Sequence, residues 1–144
     1  MGSHAPFSPS GFEAEMLCPG KHLADVGYEE EPREYSAEGT FAHTIREQCL
    51  TTGVDADSFI GRTETVEGFT FTWDRAGASA LQPGIDRIRD AGGTWFFEQR
   101  VSMENWINDM WGTLDAGGIL PDLIIIDDLK FGRGTQVEAK RCVQ

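Results

Sequence analysis

The chain has 144 residues, with 24 acidic side chains against 12 basic ones, a formal net charge of −12, and 40% hydrophobic residues. That length suits a single domain over residues 1–144, and the apolar content can bury a core, which excludes wholesale disorder. No apolar run approaches the ~18 residues of a membrane span, and the acidity argues against a generic nucleic-acid binder that grips through a basic surface.

The opening stretch, "MGSHAPFSPSG", has neither a basic n-region nor an apolar h-region, so no signal peptide is expected. "SPSGFEAEMLCPG" begins with the capping residues Ser8 and Ser10 and ends in Pro-Gly. It predicts a short helix with Phe12, Met16 and Leu17 on its apolar side. "GYEEEPREYSAEG" is acidic, contains Pro32 and reads as an exposed connection. "SAEGTFAHTIREQCLTTG" is the clearest helix: Ser36 is placed to cap it, Glu38 lies near its positive end and Gly53 stops it. Phe41, Ile45 and Cys49 recur at helical spacing, while His43 and Glu47 share a different face.

"VEGFTFTW" alternates at Phe69, Phe71 and Trp73 and predicts a strand. Leu81, Ile85 and Ile88 then continue at helical spacing up to Gly92-Gly93, with Pro83 near the helix start. "TWFFEQRVSM" predicts a strand in which Glu98 is a structural residue, and "NDMWGTLDAG" a second strand. After a "GGILP" turn, "DLIIIDDLKFG" predicts a third. Its run from Leu123 to Ile126 suggests a central strand covered on both faces. "TQVEAKRCVQ" reads as the first turns of a helix.

Two aspartates and a lysine at the end of an apolar strand are costly unless something binds them. On an extended strand Asp128 and Lys130 point to one side and Asp127 and Leu129 to the other. A hairpin would bring Asp115 beside Asp128. Paired carboxylates repel, and a cation between them relieves this. A hard divalent ion such as Mg²⁺ takes the carboxylate and carbonyl oxygens that this surface supplies, and the lysine can orient a water or stabilise charge on a phosphate. Asp122, which follows Pro121, is not part of this group. It starts the strand that Asp128 ends, roughly 20 Å away at ~3.3 Å per residue.

The charge is uneven as well. Between Lys130 and Gln144, Lys130, Arg133, Lys140 and Arg141 stand against Glu138 alone, a net of +3 that leaves −15 on the rest. A polyanion is expected at that end, with a metal to offset the carboxylates. The three cysteines, Cys18, Cys49 and Cys142, form no CxxC pair. Their number and spacing argue against a disulfide framework and suggest a reducing, cytoplasmic setting.

"GTLD" followed by "IIIDDLKFGRG" resembles motifs II and III of the PD-(D/E)XK nuclease superfamily in its RecB-like exonuclease branch. "HAPFSPSGFEAEMLCPG" resembles the N-terminal stretch of phage-encoded members of that branch. "AEGTFAHTIREQCL" is similar to their histidine-bearing helix, and "VEAKRCVQ" to the start of their motif IV helix. The likeness covers residues 4–53 and 94–144.

The resemblance implies an α/β fold of the restriction-endonuclease type, a small mixed sheet flanked by helices. It implies a Mg²⁺- or Mn²⁺-dependent DNA exonuclease, acting in the bacterial host cell if phage-encoded. His43, Asp115, Asp128 and the Leu129 carbonyl would bind the metal, Lys130 would be the catalytic lysine, and Gln144 would place the substrate or the lysine. Glu47 is the candidate partner of His43, and Arg133, Lys140 and Arg141 are the candidate DNA contacts. Some relatives hold a four-cysteine iron–sulfur cluster. Cys18 lies near the first position but the C-terminal trio is absent, so no cluster is expected.

Relatives also continue past the glutamine with a helix and a strand. A minimal or truncated version is therefore expected, and an exposed sheet face or edge that favours a homo-oligomer. The alternative function is a catalytically inactive remnant that serves as a DNA-binding or assembly module.

Overall fold

The computed structural model describes residues 11–24 and 31–132, apart from the side chain of His22. The predicted caps Ser8 and Ser10, the C-terminal helix, Gln144, Arg133, Lys140, Arg141 and Cys142 lie outside the described residues. The fold is mixed α+β, with helices and small antiparallel sheets. Among the described residues no helix is long and apolar enough to cross a membrane.

Contacts divide the chain into two compact units. The described part of the smaller one takes residues 11–24, 31 and 99–114. It holds helix α1 (Phe12–Leu17), the single turn α2 (Lys21–Ala24) and a loop closed by Met103 N–H donating to Met110 O at 2.9 Å. The Arg100 guanidinium stacks 3.9 Å from the Trp111 ring centre, a cation–π contact. The helix expected around Phe12 is present, but it buries none of its residues, and Met16 and Leu17 are exposed.

The larger unit, described over residues 32–98 and 115–132, carries the core. Its central element is α3 (Glu34–Thr52). The helix starts two residues before the expected cap: Arg33 is the N-cap, without a side-chain cap bond, and Ser36 lies inside. Gly53 ends it in the left-handed conformation at φ 78°, where a residue without Cβ meets no steric cost. Ala37, Phe41, Ala42, Ile45 and Cys49 are buried, so the helix is covered over a broad arc. Burying side chains the size of Phe41 and Ile45 stabilises by about 1.5–3 kcal/mol each. Cys49 is pushed up to about 11, chiefly by burial, and acts as a small apolar core residue.

The single strand expected at Phe69–Trp73 is one arm of a hairpin. β1 (Thr63–Val66) pairs antiparallel with β2 (Phe69–Thr72), with Thr63 opposite Thr72. Glu67 and Gly68 both have positive φ, as a two-residue type I′ turn requires. Trp73 donates its indole N–H to Ala56 O at 3.1 Å and packs against Phe41 and Phe131.

Asp74 then caps α4 (Arg75–Ala91), its side chain accepting from Gly77 N–H at 2.8 Å. Ala78, Leu81, Ile85 and Ile88 form its buried stripe. Pro83 sits well inside this helix rather than near its start. It lies on the exposed face, where water can take the carbonyl that its missing N–H leaves free.

The second sheet has the order β3 (Thr94–Ser102), β4 (Trp111–Ile119), β5 (Ile124–Asp127). β4 and β5 are antiparallel, with Ala116 opposite Asp127 and Ile119 opposite Ile124. The expected hairpin is therefore present, but its turn is not at "GGILP". Gly117, Gly118 and Ile119 are strand, and Leu120 N–H donates to Leu123 O across the turn.

The glycines that suggested a turn are there for packing. A Cβ on Gly118 would stand 2.7 Å from the Trp95 ring. Gly118→Ala should accordingly cost about 1–3 kcal/mol by overpacking, read as a lower denaturation midpoint. A midpoint equal to wild type would show that Trp95 moves freely aside.

β5 also departs from expectation. Among the described residues it is an edge strand, with Ile124 and Ile126 72% and 71% exposed, not a central strand covered on both faces. Its other side faces the protein: Ile125 and Asp127 are partly buried there. An apolar run of four residues cannot by itself distinguish two covered faces from one.

Candidate metal centre

Four segments of the larger unit bring polar groups together: the middle of α3, the end of its portion of β3, the start of its portion of β4, and the chain just after β5. Asp115 does not end its strand as expected. It lies within β4, directly before Ala116, and β5 ends opposite it. The chain leaving β5 bends close, and Leu129 N–H donates to Asp115 Oδ2 at 2.7 Å. That bond ties the Leu129 backbone to β4. Its carbonyl oxygen lies 3.2 Å from His43 Nε2, while the Leu129 side chain packs against the hydrophobic core.

His43 Nδ1 faces Glu98 Oε1 at 3.2 Å and Asp115 Oδ2 at 3.7 Å. The carboxylates beside the histidine are thus Glu98, the nearer, and Asp115, while no contact joins Glu47 to it among the described residues. The sequence predicts Glu98 as a structural strand residue. In the structure Glu98 has φ 46°, a left-handed backbone uncommon for a side-chain-bearing residue, and Phe97 and Glu98 are both partly buried in succession, a break in strand alternation. An acid directly after the apolar run "WFF" was the available signal in the sequence.

His43, Glu98 and Asp115 can offer one ligand atom each within 4.8 Å of one another, a group able to hold a metal ion. The donor chemistry fits a divalent cation. Donors sharing one ion at ~2.1 Å in adjacent octahedral positions stand ~3.0 Å apart, close to the 3.2 Å between His43 Nε2 and Leu129 O. Among the described residues every partner facing the imidazole is an acceptor: two carboxylates on one nitrogen and a carbonyl on the other. Such a ring is satisfied as an imidazolium, or as a neutral ring with a cation at one nitrogen.

The two aspartates after the isoleucines serve opposite sides. Asp128 and Lys130 share one, with Lys130 Nζ donating to Asp128 Oδ2 at 2.7 Å, and both are substantially exposed. Asp128 stands outside the group of three, yet close enough for its charge to act on Asp115. Asp127 faces inward and pairs with Arg46 of α3 and Arg87 of α4. Lys130 and Leu129 also border a cavity of about 500 Å³ whose walls include Phe41, Phe71, Trp73 and Phe131.

Electrostatics follow the geometry. The hydrogen bond to Glu98 raises the His43 pKa above 6.5, with Asp115 adding to this and burial opposing it. Burial raises the Asp115 pKa above 3.8, and Asp128 and Glu98 push the same way. The Leu129 N–H and His43 pull it down.

A group with a raised folded pKa stabilises the fold below its unfolded value, and that contribution is lost as pH rises through the folded value. The metal-free protein should therefore lose stability as pH climbs from 3.8 through the Asp115 value and from 6.5 through the His43 value. Divalent metal should reverse the trend, since its affinity grows as the proton leaves the ring. At about 100 times Kd it adds ~2.7 kcal/mol. Thermal melts across pH, with and without Mn²⁺, check this; a stability that rises with pH in metal-free buffer, or that ignores Mn²⁺, would refute it.

A mixed α+β unit with a half-buried His/Glu/Asp group beside a DxK strand end is the class that fold and site define. Residues 4–144 match the model of the family described as a protein of unknown function (DUF2800), and the chain belongs to that family. No solved structure matches it.

Proposed function

We propose that this chain is a divalent-metal-dependent DNA nuclease of the PD-(D/E)XK class, in its RecB-like exonuclease branch. The observation that supports the reading is that His43 meets both Asp115 and the Leu129 carbonyl, 3.7 Å from Nδ1 and 3.2 Å from Nε2, with the Asp128–Lys130 ion pair on the residues flanking Leu129. His43 Nε2, an Asp115 oxygen and Leu129 O would hold Mg²⁺ or Mn²⁺, with Asp128 completing the set beside them. When bound, the ion supplies Lewis-acid charge to a phosphodiester and makes water a stronger nucleophile.

The chain's own groups do the rest. Asp115 tethers the Leu129 backbone through its N–H, in the same residue as the carbonyl that faces His43. Lys130, exposed and paired with Asp128, would give its ammonium to a scissile phosphate. Arg133, Lys140 and Arg141, the candidate grip on the DNA backbone, follow in sequence and add phosphate contacts to a chain that otherwise repels DNA. The exposed isoleucines of the β5 edge support self-association.

Incubating end-labelled single- and double-stranded DNA with the protein in Mg²⁺ or Mn²⁺, and in EDTA, tests the reading. Cleavage is expected only with metal. Intact DNA with metal bound would leave the inactive DNA-binding or assembly module.

A further inference from the structure

We infer that Glu98 is a positioning residue: it holds the proton of His43 on Nδ1 and so keeps Nε2, the nitrogen beside the Leu129 carbonyl, free for a metal ion. The inference rests on the nuclease reading only in naming what Nε2 is kept for. Three observations carry it.

The first is the division of partners around the ring. Nδ1 faces carboxylates, Glu98 Oε1 at 3.2 Å and Asp115 Oδ2 at 3.7 Å, whereas Nε2 faces one neutral carbonyl at 3.2 Å. A neutral imidazole has one N–H, and a carboxylate accepts it more strongly than a peptide oxygen does. The proton therefore stays on Nδ1.

The second is that Asp115 already accepts from Leu129 N–H through the oxygen nearest His43, which leaves Glu98 as the closer and less committed acceptor. The third is the backbone. Glu98 holds φ 46° within β3, a conformation costing on the order of 1–3 kcal/mol for a non-glycine residue. The positive φ falls on the residue whose carboxylate lies closest to His43 Nδ1, at 3.2 Å against 3.7 Å for Asp115.

A carboxylate–histidine–metal arrangement fixes both tautomer and ring orientation, and losing the outer carboxylate typically weakens metal binding 10–100-fold. Glu98 is thus assigned to the histidine and not to the ion, although its oxygen lies near enough to the other donors to be mistaken for a ligand.

The imidazole nitrogen spectrum of the metal-free protein, taken where the ring is neutral, tests this without any catalysis. Wild type should show His43 protonated on Nδ1 with Nε2 bare, and Glu98→Ala should move the proton toward Nε2. Glu98→Gln keeps an amide oxygen able to accept from Nδ1–H and should retain the wild-type tautomer. Mn²⁺ titration should then show a loss of about 10–100-fold for Glu98→Ala and a clearly smaller loss for Glu98→Gln.

A wild-type ring protonated on Nε2 would overturn the assignment. So would equal Mn²⁺ losses in both variants with the tautomer unmoved, which would make Glu98 a direct ligand. If wild type binds no Mn²⁺ at all, the nuclease reading fails, while the tautomer still decides the Glu98 assignment.

Discussion

Asp127→Ala should destabilise the fold by about 3–5 kcal/mol, lowering the melting temperature on the order of 10 °C for a domain of this size. The reason is Arg46. It is 4% exposed, it pairs with Asp127, and its Nη1 has no hydrogen-bond partner among the described residues. Removing the carboxylate leaves a buried guanidinium with its charge uncompensated, which costs far more than the loss of a surface ion pair. Arg87, mostly exposed, contributes little to that penalty.

Replacing both partners, Arg46→Met with Asp127→Leu, should recover most of the stability, because an apolar pair of similar volume carries no desolvation cost. Denaturant unfolding of wild type, both single variants and the double variant measures the coupling. An Asp127→Ala variant within about 0.5 kcal/mol of wild type would mean that Arg46 finds another partner or water.

Asp115→Ala should lower metal-dependent hydrolysis on the order of 10³-fold, at the upper end of what a single electrostatic group contributes. Asp115 accepts from Leu129 N–H, and in the proposed site it would also offer an oxygen to the ion. Asp115→Asn separates these two roles. Its amide oxygen can still accept from Leu129 N–H, so the hairpin end keeps its shape while the charge is gone. The asparagine variant should melt near wild type in EDTA yet lose the Mn²⁺-induced stabilisation; the alanine variant should be weaker in both. Mn²⁺ stabilising Asp115→Asn as strongly as wild type would place the metal elsewhere.

What was legible in the sequence is what local chemistry dictates. The α3 stripe of Phe41, Ile45 and Cys49 is buried, Gly53 ends the helix, and strand parity correctly sends Asp127 and Asp128 to opposite sides. The meeting of His43, Asp115 and the Leu129 carbonyl was expected from the resemblance, and these groups do lie together. The misses came from features that are set by distant partners.

Gly117 and Gly118 signal a turn in isolation, but Trp95 requires the missing side chain within a strand. Pro83 is tolerated inside α4 because its face is exposed, a tertiary fact. The run from Leu123 to Ile126 looked like a central strand because hydrophobicity does not state which faces are covered. Glu98 was hidden because nothing local in "FFEQRV" announces the positive φ that it adopts beside His43. Glu47, chosen for its helical spacing, lost the role to that strand residue.

The most direct test of the central claim is a side-by-side digestion of end-labelled DNA by wild type and Lys130→Ala, with Mn²⁺ held at saturation and its binding measured in both. The account predicts that the variant binds Mn²⁺ at least as well as wild type, since Asp128 is released from its ion pair. It predicts that the variant cleaves about 10²–10³-fold more slowly. Equal cleavage by the two proteins, or none by wild type with the metal bound, would contradict it.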